Sequence, residues 1–281
     1  MGDITLSAAV RSNLLALSQT SSLINRTQDR LSTGLRVNSP VDDAKAFFEA
    51  KGLSDRASTI SEKKDGIDQA ISSVSVALEA VNTIDSIVNQ LKGVVNSAAS
   101  ASTSTEFLEL NTQYASLSAQ IDNLTSDATY QGLNLVNGTG STLNVSFSNS
   151  TSSTLAISSV DLRIGTAGLD FGLTTAGALG TAAKLSIATA RADAIATLDA
   201  AIATLDSRAK TLGSNVALLQ TRLDFSSSYA NELQAGADKL TLADITEEGA
   251  NLVALQTRQQ LGISALSFAG NSEQSILSLF R

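Results

Sequence analysis

"RLSTGLRVNSPVDDAKAF", residues Arg30 to Phe47, holds the only proline of a 281-residue chain, with a glycine six positions before it and two aspartates just after it. Gly34 suits the left-handed residue that closes a helix ending near Thr33. Ser39 suits a cap for the next helix, Pro40 its first position, and Asp42 and Asp43 its positive end. The spacing therefore predicts a joint between an N-terminal helix and a second helix starting near Pro40. On punctuation alone this is an ordinary helix–loop–helix.

On the C-terminal side of the joint, three long runs step by three and four residues. In the first, Ile67, Ala70, Val74, Ala77, Val81, Ile84, Val88, Leu91, Val95 and Ala98 form one apolar stripe. Phe107, Leu110, Tyr114, Leu117, Ile121, Leu124 and Ala128 form a second, with Thr105 or Ser104 as its expected cap before Glu106. The third keeps step from Leu185 to Leu240. Such a/d seams are the pattern of coiled coils, in which each stripe faces a partner helix. Between the second and third runs the period falls to two. Leu143, Val145 and Phe147, then Leu155 and Ile157 beyond a serine-rich turn, read as a β-hairpin. Glycines at 165, 168, 172, 177 and 180 suggest an irregular return to the third run. The fold class is thus mainly α: an elongated helical bundle or coiled coil from the N- and C-terminal halves, with a small β-hairpin region in the middle.

Both chain ends carry weaker stripes. Leu6, Val10, Leu14, Leu17, Ile24 and Leu31 mark one; Leu242, Ile245, Leu252, Leu255, Leu266, Phe268, Ile276 and Leu279 mark the other. An isolated helix of this kind is marginal in water, because most helix stability in proteins comes from tertiary packing. The ends are expected to become ordered when something covers them.

Composition narrows the function. The chain has no histidine, cysteine or tryptophan, and 4% of its residues are aromatic. Catalysis by a nucleophile, tuned base or thiolate has little to draw on, and no cofactor or metal is expected. The acid pairs Asp42–Asp43 and Glu247–Glu248 sit at expected helix starts, where their charge complements the helix end. Net charge is −8 and the 19 basic residues are scattered, which argues against nucleic acid. No apolar run reaches the length of a membrane span and no cleavable secretory signal is visible, so no membrane partner is expected.

The residues of the joint say more than its punctuation. Arg30, Leu31, Ser32, Gly34, Leu35, Arg36, Asn38, Ser39, Asp42, Asp43 and Ala44 match RLSSGLRINSAxDDAAGL, the N-terminal signature of bacterial flagellins. Thr33, Val37, Pro40 and Lys45 to Phe47 depart from it. "LGSNVALLQTRLDF" and "LQTRQQLGISALSFAGNSEQSILSLFR" resemble that family's C-terminal pattern. The chain is therefore identified as resembling a flagellin with a minimal central insert.

The resemblance implies a structural subunit, not an enzyme, that polymerises with itself into the flagellar filament, a helical propeller for swimming. It implies export through the flagellum's own type III channel to an extracellular position, with an export chaperone, the filament cap and hook-associated proteins as further partners. Residues 1–33 with 242–281 correspond to helices lining an inner tube. Residues 34–136 with 182–241 correspond to the long-helix rod, and 137–181 to an exposed hairpin and loop. Assembly contacts are implied at Leu6, Val10, Leu14, Leu17, Arg30, Leu31, Gly34, Arg36, Asn38, Asp42, Asp43, Leu252, Leu255, Gln259, Leu266, Ile276, Leu279 and Arg281. A hook–filament junction protein, which has related termini, is the alternative. Two departures stand out. In "IVNQLKGVVN" Gln90 and Gly93 replace an arginine and a glutamate that the resemblance links to recognition by an animal innate immune receptor. Leu242 stands where an aspartate is common, which removes one polar side chain from the joint.

Overall fold

The computed structural model describes residues 8–150, 152–165, 169 and 183–279. Their order is α1 (Ala8–Thr33), α2 (Ala44–Ser97), α3 (Ser104–Asp127), β1 (Thr129–Tyr130), β2 (Leu133–Asn134), β3 (Thr142–Ser146), β4 (Thr154–Ser158), α4 (Ala183–Ser186), α5 (Ala188–Thr241) and α6 (Ile245–Leu279). The fold is mainly α with a small β region, as the periodicities require. The chain divides into two compact units, one taking residues up to Ala57 and from Asn231 onward, the other Ser58–Ala230. Most of the glycine-marked return at 166–182, along with Leu6 and Arg281, lies outside the described residues.

In the Ser58–Ala230 unit the three predicted stripes meet. Ile67, Val74, Ile84, Val88, Leu91 and Val95 of α2 are almost completely buried, as are Tyr114 and Ile121 of α3 and Leu198, Leu205 and Leu219 of α5. They form one continuous cluster. With few aromatic anchors, burial comes from many aliphatic side chains, each contributing roughly 1.5–3 kcal/mol when fully covered. Lys92 of α2 pairs with Asp199 of α5, and Lys64 donates to the Ser227 hydroxyl. In both pairs the residue numbers sum to 291, so α2 and α5 run antiparallel in a fixed register through this unit. α2 and α5 each have 54 residues, about 80 Å of helix at ~1.5 Å per residue.

The period-two segment is a hairpin, with Leu143 opposite Ile157 and Val145 opposite Leu155. Phe147 continues it, donating its N–H to the Ser153 carbonyl. The Phe147 ring also lies 5.1 Å under the Arg222 guanidinium of α5, which holds the hairpin against that helix. A second, two-residue hairpin pairs β1 with β2 and is too short to show as a period. Its turn is Gln131–Gly132, both at positive φ (49° and 80°), the backbone of the mirror-image turns that suit hairpins. Asn134 ties this hairpin to its neighbours. Its buried amide donates to the Thr125 carbonyl at the end of α3, and its carbonyl oxygen accepts from the Val136 and Asn137 N–H groups.

Several expected boundaries move. α3 is capped by Thr103, not by Ser104 or Thr105. The Thr103 hydroxyl accepts from the Glu106 N–H while the Glu106 carboxylate reaches back to the Thr103 N–H, a capping box that needs this three-residue spacing. α2 starts at Ala44 instead of Pro40. Asp43 is its cap, accepting from the Ala46 N–H, because Ser39 to Asp42 are folded into a turn of their own. The third run is interrupted at Ile187, between the short α4 and α5.

Candidate assembly site

The other unit brings the two chain ends together. α1 and α6 pack along each other in antiparallel sense, with the Leu17 side chain against Gly262 and Arg30 against Glu248. Their root lies in the Arg30–Phe47 stretch. The Gly34 N–H closes α1 on the Arg30 carbonyl at 2.8 Å, and Gly34 itself stands at φ 71°, where a side chain is strained. The next residues cross the chain leaving α5. Arg36 and Val37 donate their N–H groups to the Thr241 carbonyl (2.7 and 3.2 Å), and the Ala243 N–H returns to the Gly34 carbonyl (2.9 Å). Leu35 and Leu242 face each other in this short antiparallel bridge.

Side chains complete the joint. The Arg36 guanidinium donates to the Leu240 carbonyl at 3.0 Å, satisfying an open acceptor at the end of α5. Arg30 in the last turn of α1 meets Glu248 in the first turn of α6 at 2.8 Å, and only 10% of the Glu248 side chain is exposed. Asp244 caps α6, accepting from the Thr246 and Glu247 N–H groups. One oxygen of Asp42 accepts from the Asn38 N–H, the Ser39 N–H and the Ser39 hydroxyl. These bonds, the Ser39 hydroxyl foremost, hold the Asp42 carboxyl below the usual aspartate range and so keep it charged.

Arg30, Gly34, Arg36, Asn38, Asp42 and Asp43 thus all serve the joint. Along the helices, Val10 is buried, Leu14 exposed, and Leu17, Leu31, Leu252, Leu255, Gln259 and Leu266 half-buried. The most open apolar side chains of α6 are none of the implied contacts: Phe268 at 81% and Ile245 lie on the weak stripe, and Val253, Leu261 and Ile263, like Ile245 more than half exposed, lie off it. α6 is apolar on more than one side, so a search for a single stripe finds only part of its apolar surface. Asp244 and Glu248 were also missed as joint residues. The D-x-x-E spacing of Asp244 and Glu247 was a legible cap signal. The Glu248 partnership has no local signal, because Arg30 lies 218 positions away. Leu242 is half exposed and joins the crossing through its backbone, so the bridge forms without the absent aspartate.

Paired end helices, laced at their root and carrying large uncovered apolar side chains, define a class: an α-helical subunit whose surface is completed by other molecules. Comparison with known proteins makes this specific. The bacterial flagellin N-terminal helical region matches residues 5–141, and the bacterial flagellin C-terminal helical region matches residues 195–280. Flagellin FljO of Caulobacter vibrioides is 35% identical over 94% of this chain and 93% of its own length. A flagellin of Brucella melitensis is 32% identical over the full length of both. A putative flagellar hook-associated protein from Vibrio parahaemolyticus shares the fold, with a TM-score of 0.58 over 72% of this chain and all of that chain at 13% identity. The chain belongs to the bacterial flagellin family and is a structural subunit of the flagellar filament.

Proposed function

We propose that the α1–α6 pair is the contact through which copies of this chain polymerise, with residues 1–33 and 242–281 lining an inner tube. Residues 34–136 with 182–241 form the surrounding rod layer, and 137–181 lie on the filament surface. The observation that carries this reading is the uncovered apolar surface of α6. Covering the exposed parts of Val253, Leu261, Ile263 and Phe268 contributes on the order of 1–2 kcal/mol each. Neighbouring copies supply that cover. The laced joint makes α1 and α6 settle as one piece. Leu6, Ile276, Leu279 and Arg281 belong to the same contact by their place in the sequence.

Coupling order of the ends to assembly restrains polymerisation before export. In this reading the chain leaves through the flagellar channel, meets an export chaperone before it and the cap and hook-associated proteins after it, and functions outside the cell. The test compares the intact chain with Phe268→Asp by seeded polymerisation and electron microscopy. Long filaments from the intact chain, and none from the variant despite unchanged helicity, are the expected result. Filaments from both in equal yield remove α6 from the contact.

A further inference from the structure

The last two turns of α1 and the turn after them enclose a cleft of about 320 Å3, lined by Arg26, Arg30 and Arg36 together with Asp29, Asn38 and Asp42. Most of its charged groups already have partners, while the Asp29 carboxylate, like Arg26, has none among the described residues. Arg30 is engaged by Glu248, Arg36 by the Leu240 carbonyl, and the bonded oxygen of Asp42 already takes three donors from Asn38 and Ser39. Arg26 makes no hydrogen bond or ion pair among the described residues, and Asp29, three positions on, is not within ion-pair distance of it. The cleft therefore presents one whole guanidinium, a fork suited to a carboxylate. Two further arginines, fixed by their own partners, stand beside it.

The charge of the chain indicates what this fork meets. α1 carries Arg11, Arg26 and Arg30 against Asp29 alone, a net +2, while the whole chain is −8. Everything outside α1 thus sums to −10, so on the rest of a second copy acidic residues outnumber basic ones. We propose that the cleft receives an acidic side chain of a second copy, with Arg26 as the group that binds it; this rests on the polymerisation proposed above. The pair works in two ways. It steers copies so that the basic end of α1 approaches acidic surface, and it fixes the position of the joint against its neighbour once the apolar faces have closed.

Arg26→Gln and Arg26→Lys are compared with the intact chain by measuring, across a salt series, the subunit concentration left in solution after filaments are pelleted. At low salt Arg26→Gln is expected to raise that concentration about threefold to fivefold, the size of a partly shielded ion pair. Arg26→Lys should fall between the two, keeping the charge and losing the fork. The gap should close as salt rises. Circular dichroism of the monomers checks that the helices are unaltered. Equal concentrations for Arg26→Gln and the intact chain at every salt level overturn the proposal. So does that equality combined with Arg26-dependent binding of inorganic phosphate by the monomer, which makes the cleft a small-anion site. An intact chain that forms no filaments removes the polymerisation reading itself, and this inference with it.

Discussion

Replacing Arg30 by alanine tests the joint directly. Glu248 has 10% of its side chain exposed and Arg30 29%, at 2.8 Å from each other. Removing one partner of a fully buried ion pair costs about 3–5 kcal/mol, because the other charge is left without compensation. Arg30 is open enough for water to enter when it is removed, so about 2 kcal/mol is the appropriate expectation. The loss falls on the ordered α1–α6 state, which the filament requires. At about 1.4 kcal/mol per factor of ten, the subunit concentration in equilibrium with filaments should rise roughly 30-fold. The assay is sedimentation of filaments followed by quantification of the supernatant. Arg30→Ala combined with Glu248→Ala should recover part of the loss, since no uncompensated carboxylate remains. A single variant within twofold of the intact chain would refute the reasoning, as would a double variant as costly as the two singles added together.

Gly34→Ala forces a side chain into φ 71° and should destabilise the joint by about 1 kcal/mol, seen as faster proteolysis between α1 and α2. Asp85 is raised above the usual aspartate range, first by burial and then by Asp206 across the α2–α5 seam. A raised acid adds stability in acid that is lost as pH climbs through its folded value, so Asp85→Asn should be more stable than the parent at pH 7. That advantage should vanish near pH 4; urea midpoints at the two pH values that differ by the same amount would exclude the coupling. Gln90 and Gly93 are both exposed on α2, without the arginine and glutamate expected there from the family signature. A receptor-reporter assay should therefore give a response well below that of a stimulatory flagellin.

The long helices were legible because their information is local and repeated. The Ile67–Ala98 stripe needs no knowledge of its partner, and the structure buries nearly every member of it. Gly34 was equally legible, since few other residues accept its backbone geometry. Ser39 and Asp43 compete for the same role by type, and only the turn made by Asp42 decides that Asp43 caps α2. The Arg30–Glu248 pair and the Arg36 contact with the end of α5 join residues more than 200 positions apart, and nothing in either segment names the other. α6 misled for a different reason: its apolar surface is wide, so a single stripe marked Leu252, Leu255, Leu266 and Phe268 and passed over Val253, Leu261 and Ile263. The β1–β2 hairpin was too short for any period, and only its Gln131–Gly132 turn carried a signal.

The lacing at residues 34–37 and 241–243 has a mechanical meaning. A propeller subunit works under torque, and a tensile load on α1 must pass through this root. There it meets three backbone bonds, the Arg36 guanidinium and the Arg30–Glu248 pair side by side. Bonds arranged in parallel share a load and yield together, whereas bonds in series open one at a time. Gly34 apart, the backbone members do not use the side chains at the crossing, so substitutions there can retune stiffness without cutting the tether. The joint is a coupling that transmits strain between the two ends of the chain.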